Sequence, residues 1–229
     1  MDENHMRNDE ITKDMSKEEK LLFKLYSLPK KNLDKCEKIR LELELGPMFS
    51  GKTTELRRKL ARKATYKRVF AVNTKKDTRY GESGLITHDG ITFDSVRVDS
   101  LYELRAMNDY IQADVIGIDE GQFFPEIFDF VIEELHNTSK SFIISGLDGD
   151  KNKKFFGNLH LLIPHADRKH FLTALCKRCG DGTEAPFTAS LKHFSETEKI
   201  GGMETYEPVC RAHYDEIVRN YILKLSQGT

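Results

Sequence analysis

One stretch of this chain contains the residue types that phosphate binding requires. The stretch reads Gly46-Pro47-Met48-Phe49-Ser50-Gly51-Lys52-Thr53 and fits the pattern G-x-x-x-x-G-K-[ST] between an apolar run and a helix-forming segment. In such a loop, backbone N–H groups and the N-terminus of the following helix donate to phosphate oxygens. We expect Lys52 to bridge the oxygens of the transferred phosphoryl group and Thr53 to offer its hydroxyl to Mg²⁺.

Two adjacent acids, Asp119 and Glu120, follow the apolar run 115–118. A P-loop fold holds Mg²⁺ with an acid in this position, directly or through water. Neighbouring side chains point in different directions, so their roles should differ. We expect Asp119 to serve the ion and Glu120 to act as general base on an acceptor hydroxyl. Together with the loop, the pair predicts a phosphotransferase that uses a nucleoside triphosphate and Mg²⁺.

Cysteine and histidine form a second pattern near the carboxyl end. Cys176 and Cys179 make a C-x2-C pair, and Cys210 and His213 make a C-x2-H pair. Four N/S ligands predict a closed, tetrahedral, structural Zn²⁺ site, which leaves no open position for catalysis. Such a site should fold a small module and hold both ends of the intervening loop, whereas Cys36 is expected to be an inert thiol.

Secondary-structure signals between these motifs alternate. Strands are predicted at 39–45, 69–72, 95–99, 115–118 and 142–144, a loop at 74–90, and helices at 52–66, at 101–110 after a Ser100 cap, and at 125–136. This alternation predicts a parallel, doubly wound α/β sheet. Residues 39–169 are therefore predicted to form a nucleotide-binding domain and 170–218 a loop-rich zinc module.

The two ends of the chain lie outside these predicted domains. Residues 1–38 mix charges of both signs around a modest apolar patch at 21–28, and they predict a flexible or partly helical extension outside the core. That extension is interpreted as a solvated tail, with an oligomer contact or a docking segment as the alternatives. Residues 219–229 are predicted to be a C-terminal tail.

Bulk composition excludes several classes of protein. The 229 residues are 38% hydrophobic and 32% charged, with a formal net charge of −1, so the basic excess of a dedicated nucleic-acid binder is absent. No apolar run approaches the roughly 20 residues needed to cross a bilayer. The charged N-terminus lacks the apolar region of a secretory signal. We therefore expect a cytoplasmic protein with neither a membrane nor a nucleic-acid partner.

Further motifs accompany the loop, the acids and the Cys/His pairs. They are Lys76-Asp77-Thr78-Arg79-Tyr80, Thr87-His88-Asp89, Gly117 to Phe124, Leu147-Asp148-Gly149, Ile200-Gly201-Gly202 and Tyr206. In this order they resemble the type II thymidine kinases, the cellular and poxviral kind, over residues 40–217. The resemblance implies a P-loop, RecA-like sheet flanked by helices, with a small zinc-binding lasso domain whose loop closes over the nucleoside.

The same resemblance implies the reaction and its residues. The γ-phosphoryl group of ATP would pass to the 5′-hydroxyl of thymidine or deoxyuridine, giving the monophosphate for DNA synthesis by salvage. Glu120 matches the general base, Arg79 a phosphate-side cation, and Asp77 a second magnesium-associated acid. The nucleotide and its ion would be bound by Gly46, Met48, Phe49, Ser50, Gly51, Lys52, Thr53, Thr54, Asp77, Asp119 and Gln122. The thymidine pocket would be lined by Met48, Phe123, Leu147, Thr188, Ile200, Gly201 and Tyr206.

Assembly and regulation also follow only from the resemblance, which implies a homotetramer and feedback inhibition by thymidine triphosphate (dTTP). The chain departs from the family pattern at Lys151, where an aromatic residue is usual, at Phe155, where Pro is usual, and at Ser190, where some members have Arg. These departures bear on pocket details and substrate preference, and they leave the reaction unchanged.

Two other functions compete with this interpretation. One is a small helicase-like motor, in which a P-loop ATPase carries a zinc-ribbon nucleic-acid module; the single small core and the neutral charge argue against it. The other is a regulatory homologue that binds nucleotide without catalysis, against which the intact Lys52, Thr53, Asp119 and Glu120 argue.

Overall fold

The computed structural model describes residues 13–26, 39–77, 85–86, 92–93, 95–191 and 205–226. A parallel sheet is its centre. The strands in chain order are β1 (Leu41–Gly46), β2 (Val69–Thr74), β3 (Leu85–Ile86), β4 (Thr92–Phe93), β5 (Ser95–Val98), β6 (Val115–Ile118), β7 (Ser141–Leu147) and β8 (Arg168–Phe171). Six of them lie in the order β5-β2-β6-β7-β1-β8, and each neighbouring pair is parallel, while β3 and β4 form a separate hairpin. The predicted parallel α/β sheet is confirmed.

Helices cover both faces of this sheet. They are α1 (Lys17–Tyr26), α2 (Lys52–Ala64), α3 (Asn108–Gln112), α4 (Ile127–Asn137) and α5 (Arg211–Ser226), with 3₁₀ turns at Leu101–Ala106, Gly121–Phe123 and Leu159–His165. Alternate residues of each strand face opposite sides. Ile143 packs under α2 with Leu56 and Leu60, whereas its neighbours Phe142 and Ile144 enter the larger core on the α4 side.

Several element boundaries differ from the sequence prediction. The predicted helix 101–110 divides into a 3₁₀ turn and the short α3, although Ser100 does form the expected cap, as a capping box with Glu103. The sequence analysis did not predict strand β8. Its four residues are exposed, and three of them are polar, so they form no apolar pattern. The predicted loop 74–90 contains β3.

The predicted extension 1–38 contributes a helix to the fold. In α1, Leu21 and Leu22 are half-buried against the main core, and Lys17 Nζ lies 2.8 Å from Asp129 Oδ2 of α4. The sequence placed this stretch outside the core, whereas the structure packs its described helix against that core. The modest apolar patch at 21–28, inside a charged segment, was too weak a signal for this contact.

The Cys/His module is a layer of short antiparallel strands closed by a long helix. Strand β9 (Ala174–Leu175) pairs with β10 (Glu184–Ala185), and β11 (Phe187–Ser190) pairs with β12 (Tyr206–Val209). Helix α5 continues to Ser226, so it crosses the predicted boundary at 218. Within the described ranges, the helices lack the length and apolar composition that crossing a membrane requires.

Candidate active site and metal centre

The phosphate loop joins the end of β1 to the start of α2. Gly46 closes the strand where a Cβ atom would lie 2.4 Å from the carbonyl oxygen of Leu172, so only glycine fits this approach. Gly51 takes a left-handed conformation, with φ of 81°, and forms the N-cap of α2 without a side-chain cap. The start of α2 thus has a glycine N-cap that offers no side-chain acceptor, and helix N-termini of this kind bind phosphate through their backbone N–H groups.

Lys52 is held inside this loop. Its ammonium group is buried and donates to the carbonyl of Pro47 at 2.6 Å, while the hydroxyl of Ser50 donates to the same carbonyl at 2.9 Å. The side chain thus folds back over the loop that it is predicted to serve. Phe49, with φ of 66°, and Thr54 are exposed at the outer rim.

Asp119 receives three hydrogen bonds where β6 ends. Its Oδ1 accepts from Thr53 Oγ1 at 3.2 Å, from Ser145 Oγ at 2.5 Å and from the backbone N–H of Glu120 at 3.0 Å. Burial and, next, the neighbouring charge of Glu120 raise the pKa of Asp119 to about 6, against these donors. The loop hydroxyl and the acid, predicted separately, therefore form one site, and Ser145 is a member that sequence reasoning missed.

Glu120 is buried and takes a left-handed backbone conformation, with φ of 53°. Its Oε2 accepts from Gln122 Nε2 at 2.6 Å, and Gln122 Oε1 accepts from the backbone N–H of Leu147 at 3.0 Å. These contacts bring Glu120, Gln122 and Leu147 together at the carboxyl ends of β6 and β7. The carboxamide of Gln122, predicted to bind the nucleotide, is thus engaged by protein groups.

Two more acids lie at the same edge of the sheet. Asp77 is buried just after the end of β2. Asp148 follows β7 and was missed by sequence reasoning, although its Leu-Asp-Gly motif was noted. Burial raises the pKa of Asp148, and the nearby charge of Lys52 partly offsets that increase. Carboxyl ends of parallel strands collect functional side chains at one edge, and this sheet follows that rule.

The predicted nucleoside side is assembled from both parts of the chain. The backbone N–H of Met48, in the phosphate loop, donates to Thr188 Oγ1 of β11 at 2.9 Å. Tyr206, across the β11–β12 pair, is buried, and burial together with the charge of Asp150 raises its pKa. Phe123 packs edge-on against Phe156 with centroids 5.3 Å apart. The predicted site residues Arg79, Ile200 and Gly201 lie outside the described residues.

The four predicted metal ligands converge on one point. Their atoms lie within 4.8 Å of one another, with His213 Nδ1 at 3.4 Å from Cys176 Sγ, 3.4 Å from Cys179 Sγ and 3.3 Å from Cys210 Sγ. A tetrahedral Zn²⁺ with Zn–S of about 2.3 Å and Zn–N of about 2.0 Å has ligand separations of this size. The donor set therefore fits Zn²⁺, which would fix the fold of the module.

Backbone groups prepare Cys176 to act as a ligand. Burial raises the pKa of this thiol, but N–H donors from Cys210, Cys179 and Arg178 outweigh burial and lower the pKa to about 6. One of these contacts is the N–H of Cys210, 3.2 Å from the sulfur. Since the thiolate is the metal-binding form, this environment favours metal binding.

A glycine-rich loop capping a helix, an acid at the end of the neighbouring strand and a parallel sheet define a P-loop α/β protein, here with an added Cys₃His module. A family model described as thymidine kinase matches residues 39–214. This chain belongs to the thymidine kinase family. That assignment confirms the predicted family and sets aside the helicase-like alternative.

Individual relatives agree with the family model. The thymidine kinase of Yaba monkey tumor virus is 44% identical over 178 residues, which are 77% of this chain and 95% of that protein. Thymidine kinase a of Arabidopsis thaliana is 40% identical over 187 residues, 80% of this chain and 77% of that protein. The cytosolic thymidine kinase of Gallus gallus is 40% identical over 176 residues, 76% of each chain.

Proposed function

We propose that this thymidine kinase transfers the γ-phosphoryl group of ATP to the 5′-hydroxyl of thymidine, or of deoxyuridine, and so supplies the monophosphate for salvage. The observation that carries the proposal is the contact between Thr53 Oγ1 and Asp119 Oδ1, at 3.2 Å. It joins the phosphate loop to the acid pair, so the triphosphate and the base meet at one edge of the sheet. Phosphoryl transfer depends mainly on such positioning and on charge stabilisation.

Each group then has one task. The loop N–H donors and Lys52 bind the triphosphate and balance charge on the transferred group. Thr53, Asp119 and Asp77 would hold Mg²⁺, which supplies charge neutralisation between the phosphates when bound. Arg79 adds a cation on the phosphate side. Glu120 accepts the proton of the 5′-hydroxyl as the oxygen–phosphorus bond forms and the bond to ADP breaks.

The nucleoside would lie between the P-loop and the Cys₃His module. Met48, Phe123, Leu147, Thr188, Ile200, Gly201 and Tyr206 form the proposed pocket, and the contact between Met48 and Thr188 supports a pocket made from both parts. The Cys₃His centre would bind structural Zn²⁺ and hold both ends of the loop between its ligand pairs. Closure of that loop would exclude water from the transferred group.

Assembly, regulation and location extend the proposal. We expect a homotetramer that is feedback-inhibited by dTTP, because these properties accompany the family resemblance. A cytoplasmic location is expected from the sequence, and the Gallus gallus relative is named cytosolic.

The test is ATP-dependent phosphorylation of labelled thymidine by the wild type and by Glu120→Gln. If Glu120 is the base, kcat falls by about 10²–10⁴-fold. Binding of thymidine and ATP, measured by calorimetry, stays within a few-fold of the wild type, because the amide keeps the size of the carboxylate. A wild type that binds nucleotide but forms no monophosphate would identify a regulatory homologue instead.

A further inference from the structure

Gln122 is a buried polar side chain whose hydrogen bonds leave no freedom in its orientation. It is 2% exposed, and its two carboxamide atoms bond to Glu120 Oε2 and to the backbone N–H of Leu147. A backbone N–H can only donate, so the amide oxygen must face Leu147. The NH₂ group is therefore directed at Glu120, at 2.6 Å.

The surrounding backbone is built closely around this residue. A Cβ atom at Gly146 would lie 2.6 Å from Gln122 Oε1, and one at Gly157 would lie 2.3 Å from the carbonyl oxygen of Gln122. Both glycines are thus required for the close approach of β7 and of the segment after Gly149. Close packing thus constrains the backbone of Gln122, and two hydrogen bonds constrain its carboxamide group.

Glu120 lacks an equivalent constraint from its own backbone. Its left-handed conformation, with φ of 53° and ψ of 43°, is uncommon for a residue with a long side chain. A Glu side chain has three rotatable bonds, so its carboxylate can take more than one position. The hydrogen bond from Gln122 selects one of them and places the carboxylate where β6 and β7 end.

We propose that Gln122 is a positioning residue for phosphoryl transfer: it holds the Glu120 carboxylate in the direction from which it takes the proton of the substrate hydroxyl. This inference depends on the proposed role of Glu120 as general base. Both carboxamide atoms of Gln122 are engaged by the protein. It acts through one hydrogen bond donated to Glu120 and through the Leu147 contact that fixes the donor.

Gln122→Met tests the inference, because Met has a similar length and removes the donor. We expect kcat to fall about 10–100-fold, since misdirection of a base costs part of its contribution. KM for thymidine and for ATP should change less than about threefold, because a residue that acts only through Glu120 affects the chemical step and not binding. The matched control is Gln112→Met on the surface of α3, which should keep wild-type kcat.

A double-mutant cycle with Glu120→Gln separates positioning from general damage to the structure. If Gln122 acts through Glu120, adding Gln122→Met to Glu120→Gln lowers kcat no further than about twofold. Independent, multiplicative losses would overturn the inference. Gln122→Glu provides a second variant, which keeps an acceptor for Leu147 but replaces the donor with a negative charge; it should lose at least as much kcat as Gln122→Met.

Failure of the two proposals can be told apart in the same experiment. A wild type without thymidine kinase activity, or a Glu120→Gln variant with unchanged kcat, overturns the role of Glu120 and this inference with it. A wild type and a Glu120→Gln variant that behave as proposed, combined with a Gln122→Met variant at wild-type kcat, overturn only the inference on Gln122.

Discussion

Asp119 and Glu120 are adjacent in the chain, yet their surroundings separate their chemistry. Asp119 Oδ1 accepts hydrogen bonds from Thr53, Ser145 and the backbone N–H of Glu120. Glu120 has a left-handed backbone, and its carboxylate accepts a hydrogen bond from the side-chain amide of Gln122. This difference in environment supports the proposed roles of Asp119 at the ion and of Glu120 as the base.

Asp119 is predicted to reduce the stability of the ligand-free protein at neutral pH. Its pKa is about 6 in the folded protein and 3.8 in an unfolded chain, so the folded state binds the proton more tightly. The resulting stabilisation is complete below about pH 4 and is lost as the pH rises through about 6. Asp119→Asn should therefore raise the free energy of unfolding at pH 7.5 by up to about 3 kcal/mol.

Urea unfolding of ligand-free protein at pH 5 and pH 7.5 checks this prediction. The variant should gain stability at the higher pH and little at the lower one. Asp99→Asn, an exposed acid outside the site, is the control and should change stability by less than about 0.5 kcal/mol. Equal effects of Asp119→Asn at both pH values would contradict the assigned pKa.

Local sequence motifs identified most of the proposed site residues, but they did not predict which of these residues contact one another. Lys52 and Thr53 belong to a motif whose conformation is set by its own glycines, so the pattern carried both position and role. Ser145 was missed because a serine inside an apolar strand carries no signal until β7 is placed beside β6. The link from Gln122 to Leu147 depends on the same pairing of strands that are distant in sequence.

The packing of strand β1 differs most from what its sequence pattern predicts. Its alternating pattern is typical of a strand with one exposed face, but Glu42 and Glu44 are buried beneath α2. Lys59 of α2 lies between them, 3.1 Å from Glu42 Oε2 and in close contact with Glu44 Oε1. Burial raises the pKa of Glu44, against the hydrogen bond and charge of Lys59. The helix is thus held to the strand partly by a buried ion pair.

Removal of the cation from this cluster is predicted to destabilise the protein strongly. Lys59→Met leaves two buried acids without their counter-charge, and we expect a loss of about 3 kcal/mol in the free energy of unfolding at pH 7.5. Adding Glu44→Leu should restore part of the loss, because it removes the more deeply buried of the two acids and replaces its ion pair with an apolar pair.

Urea denaturation of the two variants at pH 7.5 measures both effects. Arg62→Met, an exposed residue of the same helix, serves as the control and should be nearly neutral. A cost below about 0.5 kcal/mol for Lys59→Met would mean that water already solvates the cluster.

The elements found from sequence alone were those whose burial leaves an apolar pattern. Strands β2, β6 and β7 each carry short runs of Val, Ile and Phe, and they were placed to within a few residues. Strand β8 is an exposed edge strand, and its place beside β1 depends on the return of the chain after β7. The order of the strands in the sheet likewise depends on how distant segments of the chain pair, and a local sequence pattern does not contain that information.

A salt bridge ties the metal-binding turn to the strand that carries Tyr206. Arg178 Nε and Nη2 lie 2.7 Å and 2.6 Å from Glu207 Oε1, and Glu207 is buried next to Tyr206 in β12. Arg178→Met should therefore loosen β12 and raise KM for thymidine about fivefold, the effect of losing roughly 1 kcal/mol of a charged hydrogen bond.

Kinetics and metal analysis together check this prediction. Zinc content and KM for ATP should stay unchanged, since Arg178 is not a ligand and lies away from the phosphate loop. Lys177→Met, at the exposed neighbouring position, is the matched control. Loss of zinc from the Arg178 variant would show that the salt bridge instead supports the metal centre.

Taken together, the described residues form apolar cores of very different strength. The main core contains many large side chains on the sheet, whereas the Cys₃His module has a separate cluster made of Ala174, Cys176, Ala185, Ala189, Val209 and Tyr214. Small side chains gain little free energy from burial. Zn²⁺ binding contributes about 10–16 kcal/mol in comparable small sites, so the metal would dominate the stability of this module.

Chelation of the metal is therefore predicted to unfold the module and leave the sheet intact. Amide hydrogen exchange should lose protection in β11, β12 and the first turns of α5, while β1 and β7 keep theirs. Thymidine binding should fall with the module because Thr188 and Tyr206 belong to it, and ATP binding should persist. Added Zn²⁺ should restore both protection and binding. A Cys36→Ser variant, outside the ligand set, should respond as the wild type does. Simultaneous loss of protection in β1 and β7 would mean that the two cores unfold as one cooperative unit.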